Sequence, residues 1–275
     1  MSFFNPIPSK EISVLLPTRG RPELMFKSLK TLIDNAKNTS DIEFLIAIDN
    51  DDQSSHDYIN DNVLPWFDKH KYDIKVFSME RAGYEQLQKY VNFLGFQSCG
   101  RWMLFWNDDA IMQSKNWDED ITQHNGKLSI IRFKDNHNSH PYSVFPVVPR
   151  EWIMLFETLS PAQQTDSWIS QVAYLTDCMI TIDSEVLHDR ADLTGNNDDE
   201  IYQERVYLTD DQTPEMFKLK QHYAAKWNWL QTMVNQSSGW WDKIQAGEVD
   251  PWEKMLAVDV NKQMVTIPIE TTNES

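Results

Sequence analysis

The chain has 275 residues and two cysteines, 41% of it is apolar, and 25 Lys and Arg against 42 Asp and Glu leave a formal charge of −17. That size and composition can bury a large core without disulfide staples. The charge excludes a nucleic-acid partner, since no basic patch offsets repulsion from a phosphate backbone, and the lack of any run of about 18 apolar residues excludes a helical membrane span.

Met1 to Lys10 shows no basic region followed by an apolar stretch, so no export signal is expected and a cytoplasmic setting fits. Cys99 and Cys178 stand in contexts that read as strand or helix, which argues against a disulfide or a cysteine metal site. The surplus of carboxylates suits a hard cation such as Mg²⁺ or Mn²⁺, although it describes a solvated surface equally well.

Ile12 to Pro17 (ISVLLP) is an apolar run stopped by proline, and Arg21-Pro22-Glu23 opens a stretch with Leu24, Leu29, Leu32 and Ile33 at helical spacing. Glu43 to Ile48 reads as a second buried strand, ending in the acidic cluster Asp49-Asn50-Asp51-Asp52, and Ile74 to Phe77 as a third. Leu87, Tyr90, Val91 and Leu94 mark a helix face within Gly83 to Phe96. Arg101 to Trp106 (RWMLFW) is a fourth strand, running into Asn107-Asp108-Asp109. This is an α/β pattern, a doubly wound, Rossmann-like sheet with helices on both faces, whose acidic clusters follow the strand ends where ligands of such sheets bind.

Beyond about residue 125 the alternation becomes irregular. Leu128 to Phe133, Tyr142 to Val148 and Met179 to Ile182 read as strands, and Glu151 to Leu159 and Ser167 to Leu175 as helices. Thr213, an N-cap before Pro214, precedes a stripe of Met216, Leu219, Tyr223, Trp227, Leu230 and Val234, a long packing helix. The tail after Lys262 reads as loose. The expected organisation is an α/β half at 1–115, an α+β half of the same domain at 116–210, and a C-terminal helical extension and tail at 211–275.

Segment by segment, ISVLLPTRGRPE, FLIAIDNDD and ERAGYEQLQKYVNFLGFQSCGRWMLFWNDDA resemble family 2-like glycosyltransferases of GT-A fold, of bacterial or phage type. The resemblance covers roughly Ile12 to Ala110, and it implies that 1–115 is the nucleotide-sugar-binding half and 116–210 the acceptor-binding and catalytic half of the same domain. It implies that Pro17, Thr18, Arg19 and Asp49, with Asp51 nearby, hold the nucleotide of a UDP- or GDP-sugar donor. Arg81, in Arg81-Ala82-Gly83, lies in the loop that would pass under the diphosphate, where a guanidinium suits phosphate oxygens. Asn107-Asp108-Asp109 is similar to the family's DxD-type turn with asparagine in place of the first acid, which leaves Asp109 as the metal contact and Asp108 beside the nucleotide. A carboxylate at a strand end can hold Mn²⁺ or Mg²⁺, and the cation neutralises the departing diphosphate. His188 occupies the place where several GT-A enzymes supply a late histidine to the metal, and it reads equally as a structural histidine.

The acceptor half, PYSVFPVVPREWIML and TDSWISQVAYL, resembles the family less well. An inverting transfer to a glycan or other hydroxyl acceptor needs a base, and Asp166 is the candidate; it reads equally as a first-turn aspartate stabilising its helix. Asp177, Asp183 and Asp198 stand in reserve, and Trp168 is a candidate acceptor platform. Two other functions fit the same sheet. Thr18-Arg19-Gly20-Arg21 partly matches the triphosphate loop of a sugar nucleotidyltransferase, and a carbohydrate-binding protein on this fold could lack the base.

Overall fold

The computed structural model describes residues 8–137, 142–203, 205 and 212–236. The apolar run near the amino terminus becomes β1 (Lys10–Thr18), and Pro22, which has no N–H to lose, starts α1 (Pro22–Asn35). Every residue of β2 (Ile42–Asp49) is buried. The connection that follows, unassigned from sequence, is helical. Asp52 caps α2 (Gln53–Tyr58) by accepting from Ser55 N, and a π turn over Ile59–Val63 leads into α3 (Leu64–His70). β3 (Asp73–Met79), α4 (Leu87–Gln97) and β4 (Gly100–Phe105) complete a parallel unit ordered β3-β2-β1-β4.

Past β4 come β5 (Ala110–Met112), α5 (Trp117–Thr122), β6 (Ile130–Asp135), β7 (Val147–Pro149) and α6 (Arg150–Phe156). They are followed by α7 (Thr165–Leu175), β8 (Met179–His188), the single turns α8 (Ala191–Thr194) and α9 (Glu200–Gln203), and α10 (Pro214–Gln236). One eight-stranded sheet, in the order β3-β2-β1-β4-β7-β6-β8-β5, joins both halves of the chain. The strand expected at 142–148 is only Val147–Pro149, because Pro146 has no N–H to give a ladder. β8 runs six residues past its expected end at Ile182, to His188. Both cysteines sit just before strands β4 and β8, outside any strand or helix.

Apolar side chains fill both faces of the sheet. α1 and α3 cover one with Met25, Leu29, Leu32 and Phe67, and α4, α6, α7 and α10 cover the other with Leu94, Trp152, Trp168 and Trp227. The stripe expected on α10 is the buried one, and Thr213 Oγ1 accepts from Met216 N at 3.3 Å as its cap. The expected tail after Lys262, and most of 211–275, lie outside the described residues. Among the described residues no helix is long and apolar enough to cross a membrane.

Polar groups fix the register at the amino ends of the strands. Buried Glu43 accepts from Ser13 Oγ at 2.5 Å and Lys75 Nζ at 2.8 Å. Gly100 N donates to the same Ser13 hydroxyl at 2.7 Å, and a Cβ on Gly100 would lie 2.4 Å from Ser13 N, so only glycine fits. Buried Arg150 donates to Gly100 O at 2.9 Å and Ser98 O at 3.1 Å. Next to it, burial pushes the Glu151 carboxyl up from 4.5 to about 7. A carboxyl raised in the folded state stabilises while protonated, so its contribution is present below the unfolded value and lost as the pH rises through the folded one. Glu151→Gln should therefore gain melting temperature over the parent between about pH 5 and about pH 8; parallel pH profiles would refute this.

Candidate active site

Strand order reverses between β1 and β4, and ligands of parallel sheets lie beyond the carboxyl ends at such a point. A cavity of about 740 Å³ opens there. Pro17, Thr18, Arg19, Asp49, Arg81, Asp108, Asp109, Asp166 and His188 all line it, although they come from both halves of the chain. Asp51 does not line it. Its half-exposed carboxylate pairs with Arg19 at 2.5 Å and Arg81 at 3.6 Å, both of which do.

The acidic turn is held from three sides. Trp106 N donates to Leu15 O at 3.0 Å, which continues the β1–β4 pairing to the turn. From α1, the Ser28 hydroxyl donates to Ala110 O at 2.6 Å and accepts from Trp106 Nε1 at 2.7 Å, and Asn35 Nδ2 donates to Met112 O at 2.8 Å. β5 then pairs antiparallel with β8, Ala110 opposite His188, and Asp189 N donates to Asp109 O at 2.8 Å. This pairing brings the imidazole to the turn.

His188 Nε2 lies 3.1 Å from Asp109 Oδ1, and both groups are buried. Among the described residues neither atom has an aligned hydrogen-bond partner, nor does His188 Nδ1. Buried polar atoms left this way are costly in isolation, and a carboxylate oxygen beside an imidazole nitrogen suits a shared cation. Among the described residues no group of three or more His, Cys, Asp or Glu could hold a metal alone, so a cation here needs further oxygens from its ligand or water.

Burial and the neighbouring Asp109 charge push the Asp108 carboxyl up to about 6. Burial also works to raise Asp109, but His188 and Arg21 outweigh it and hold Asp109 below the usual carboxylate range. Thr18 Oγ1 donates to Asp108 Oδ2 at 2.7 Å. Arg21, read from sequence as the start of a helix and as part of a partial triphosphate-loop match, is a hub of the site. Its nearly buried guanidinium reaches Asp108 at 3.4 Å and Asp109 at 3.9 Å and also pairs with Asp199.

Where β2 ends, Asp49 Oδ2 accepts from Arg19 at 2.9 Å and Asp49 Oδ1 from the Tyr90 hydroxyl. The Tyr90 oxygen in turn accepts from Ala82 N at 2.7 Å and Gly83 N at 3.3 Å. The loop expected to pass under the diphosphate thus spends these two N–H groups on Tyr90. The sequence showed Tyr90 only as part of an apolar helix face.

Asp166 lies in the first turn of α7 and lines the cavity. Trp168 does not fit its expected place as an acceptor platform. It is 0% exposed and packs edge-on against Tyr223, 5.3 Å between ring centroids, because position 168 points into the α7–α10 seam. The reserve carboxylates Asp177, Asp183 and Asp198 are exposed and outside the cavity, with Asp183 turned to Lys134 at 2.6 Å.

No protein-family model matches the chain, and no characterised protein matches it in sequence. Solved structures match in fold. S. aureus TarS 1–349 in complex with UDP-GlcNAc is 13% identical with a TM-score of 0.58, over 92% of this chain and 77% of that one. TarS 1–349 without a stated ligand is 14% identical with a TM-score of 0.51, over 88% and 89% of the two chains. The mannosyltransferase PcManGT from Pyrobaculum calidifontis, in complex with GDP-Man and Mn²⁺, is 11% identical with a TM-score of 0.51, over 95% and 83%. The fold is the GT-A fold of nucleotide-sugar glycosyltransferases.

The Arg21 contacts generate a stability test. Without the guanidinium the adjacent carboxylates repel, and protonating Asp108 relieves that repulsion. Arg21→Met should lose about 3 kcal/mol at alkaline pH and less as the pH falls toward about 6, because without Arg21 the Asp108 carboxyl moves above its parent value and protonates earlier. Chemical denaturation at both ends of that range checks it, and a pH-independent loss would contradict it.

Proposed function

We propose that this chain is a glycosyltransferase that moves a sugar from a UDP- or GDP-sugar to a hydroxyl acceptor such as a glycan, with inversion and with Mn²⁺ or Mg²⁺ as cofactor. The observation that carries the reading is the meeting of three parts on one cavity at the switch point: Asp49, the Asp109–His188 pair, and Asp166. Asp49, oriented by Tyr90 and Arg19, suits a nucleobase or ribose, with Pro17 and Thr18 beside it and Asp51 acting through Arg19 and Arg81. Asp109 Oδ1 and His188 Nε2 would hold the cation, which when bound supplies positive charge to the diphosphate leaving group. Asp108, tied to Thr18 and Arg21, would keep the turn in place next to the nucleotide.

In this reading the acceptor oxygen attacks the anomeric carbon as the bond to the diphosphate breaks, and Asp166 takes the acceptor's proton. Residues 1–115 would then carry the donor and 116–210 the acceptor, with 211–275 an extension. A sugar nucleotidyltransferase loses support at the first loop, where Gly20 N is already spent on Asp52 Oδ2 at 2.6 Å and is not left to grip a triphosphate. The unpaired cysteines suit the cytoplasmic setting we infer.

Incubating the protein with UDP- and GDP-sugars and Mn²⁺ should release nucleoside diphosphate; release of pyrophosphate, or no turnover with any donor, would sink the proposal. Asp109→Asn should remain folded and lose Mn²⁺-dependent binding of nucleoside diphosphate by calorimetry, since the amide brings no charge to the cation. Asp166→Asn should lower transfer about 100-fold with donor affinity almost unchanged. Full turnover in a variant with a lowered melting temperature would reduce Asp166 to a helix-stabilising aspartate.

A further inference from the structure

Where β6 stops, a side chain takes over its pairing with β8. The two strands run parallel with an irregular register between Arg132 and Lys134, and their last pair is Asp135 with Val186. His188 lies beyond that pair, and Asn136 fills the place of the missing strand. Its Oδ1 accepts from His188 N at 2.8 Å, and its Nδ2 donates to His188 O at 3.1 Å. A carboxamide carries the donor and acceptor of a peptide group, so one side chain satisfies both polar groups of His188. The opposite side of His188 is held by Ala110 of β5.

A histidine that ligates a metal usually has its second ring nitrogen fixed by a carboxylate or carbonyl. His188 Nδ1 has no such partner. The ring touches Phe145 edge-on, 5.1 Å between centroids, and its remaining orientation comes through the backbone. We propose that Asn136 is a positioning residue for the cation site: by clamping the His188 peptide groups it sets where Nε2 stands relative to Asp109 Oδ1. The inference rests on the reading of Asp109 and His188 as cation donors.

Mn²⁺ titration of the whole protein, followed by electron paramagnetic resonance, tests it. Asn92 provides the control, since it makes a similar clamp that touches neither Asp109 nor His188, accepting from Leu159 N at 2.9 Å and Ser160 N at 3.1 Å and donating to Ser160 O at 2.8 Å. Asn136→Ala should bind Mn²⁺ about tenfold more weakly or worse, while Asn92→Ala stays within about twofold of the parent although both melt earlier. Parent-like Mn²⁺ affinity in Asn136→Ala, or equal losses in both variants, overturns the proposal. If Asn136→Ala does not fold, Asn136→Leu decides on the same threshold, because it keeps the side chain's bulk, removes both bonds to His188 and adds no charge beside the cation. Asp109→Asn and His188→Ala run alongside: parent-like binding in both removes the cation site itself, whereas loss in both with a parent-like Asn136→Ala removes only the clamp.

Discussion

The short antiparallel pairing of β5 with β8 is the constraint on which the site depends. Three residues of β5 follow the acidic turn directly, and Ala110 stands opposite His188, so the turn and the imidazole cannot move independently. The pairing holds because α1 presents Ser28, Thr31 and Asn35 to the backbone of 107–112 in place of apolar side chains. A helix in the first half of the chain thereby braces a strand pair that closes the other half.

Charge is distributed unevenly. The protein is strongly acidic, yet Arg19, Arg21, Arg81, Arg190 and Arg205 line the cavity along with Asp49, Asp108, Asp109, Asp166 and Asp192. The carboxylates are already engaged by arginine, threonine or tyrosine at several points, which keeps a buried cluster of like charges tolerable. Such a balanced, partly desolvated cavity accepts an anion with a cation better than the acidic surface around it does.

Much of the frame was legible because it is local. ISVLLP, EFLIAI and RWMLFW are short buried runs with clear stops, and the acids that end them fall at one edge of the sheet as the parallel order requires. What escaped notice depends on partners far away in the chain. Arg21 reads as the residue before a helix-starting proline, and only the fold turns it toward Asp199, 178 residues on. Tyr90 shares its spacing with core residues, so its hydroxyl contact to Asp49 leaves no periodic trace. Asn136 sits in a polar stretch with no motif. Trp168 was misread for the converse reason: its neighbour Asp166 faces the cavity, and two positions along a helix point in different directions.

The separation of Arg21 from Asp199 also bears on how the molecule is made. A ribosome delivers domains amino end first, at about 5–20 residues per second, so β1 to β4 emerge and can pair while β8 is still unmade. During that interval Asp108 and Asp109 stand without the imidazole, and Arg21 without Asp199. A nascent or prematurely stopped chain ending before β8 would thus hold a finished Asp49 edge and an unfinished Asp109 edge.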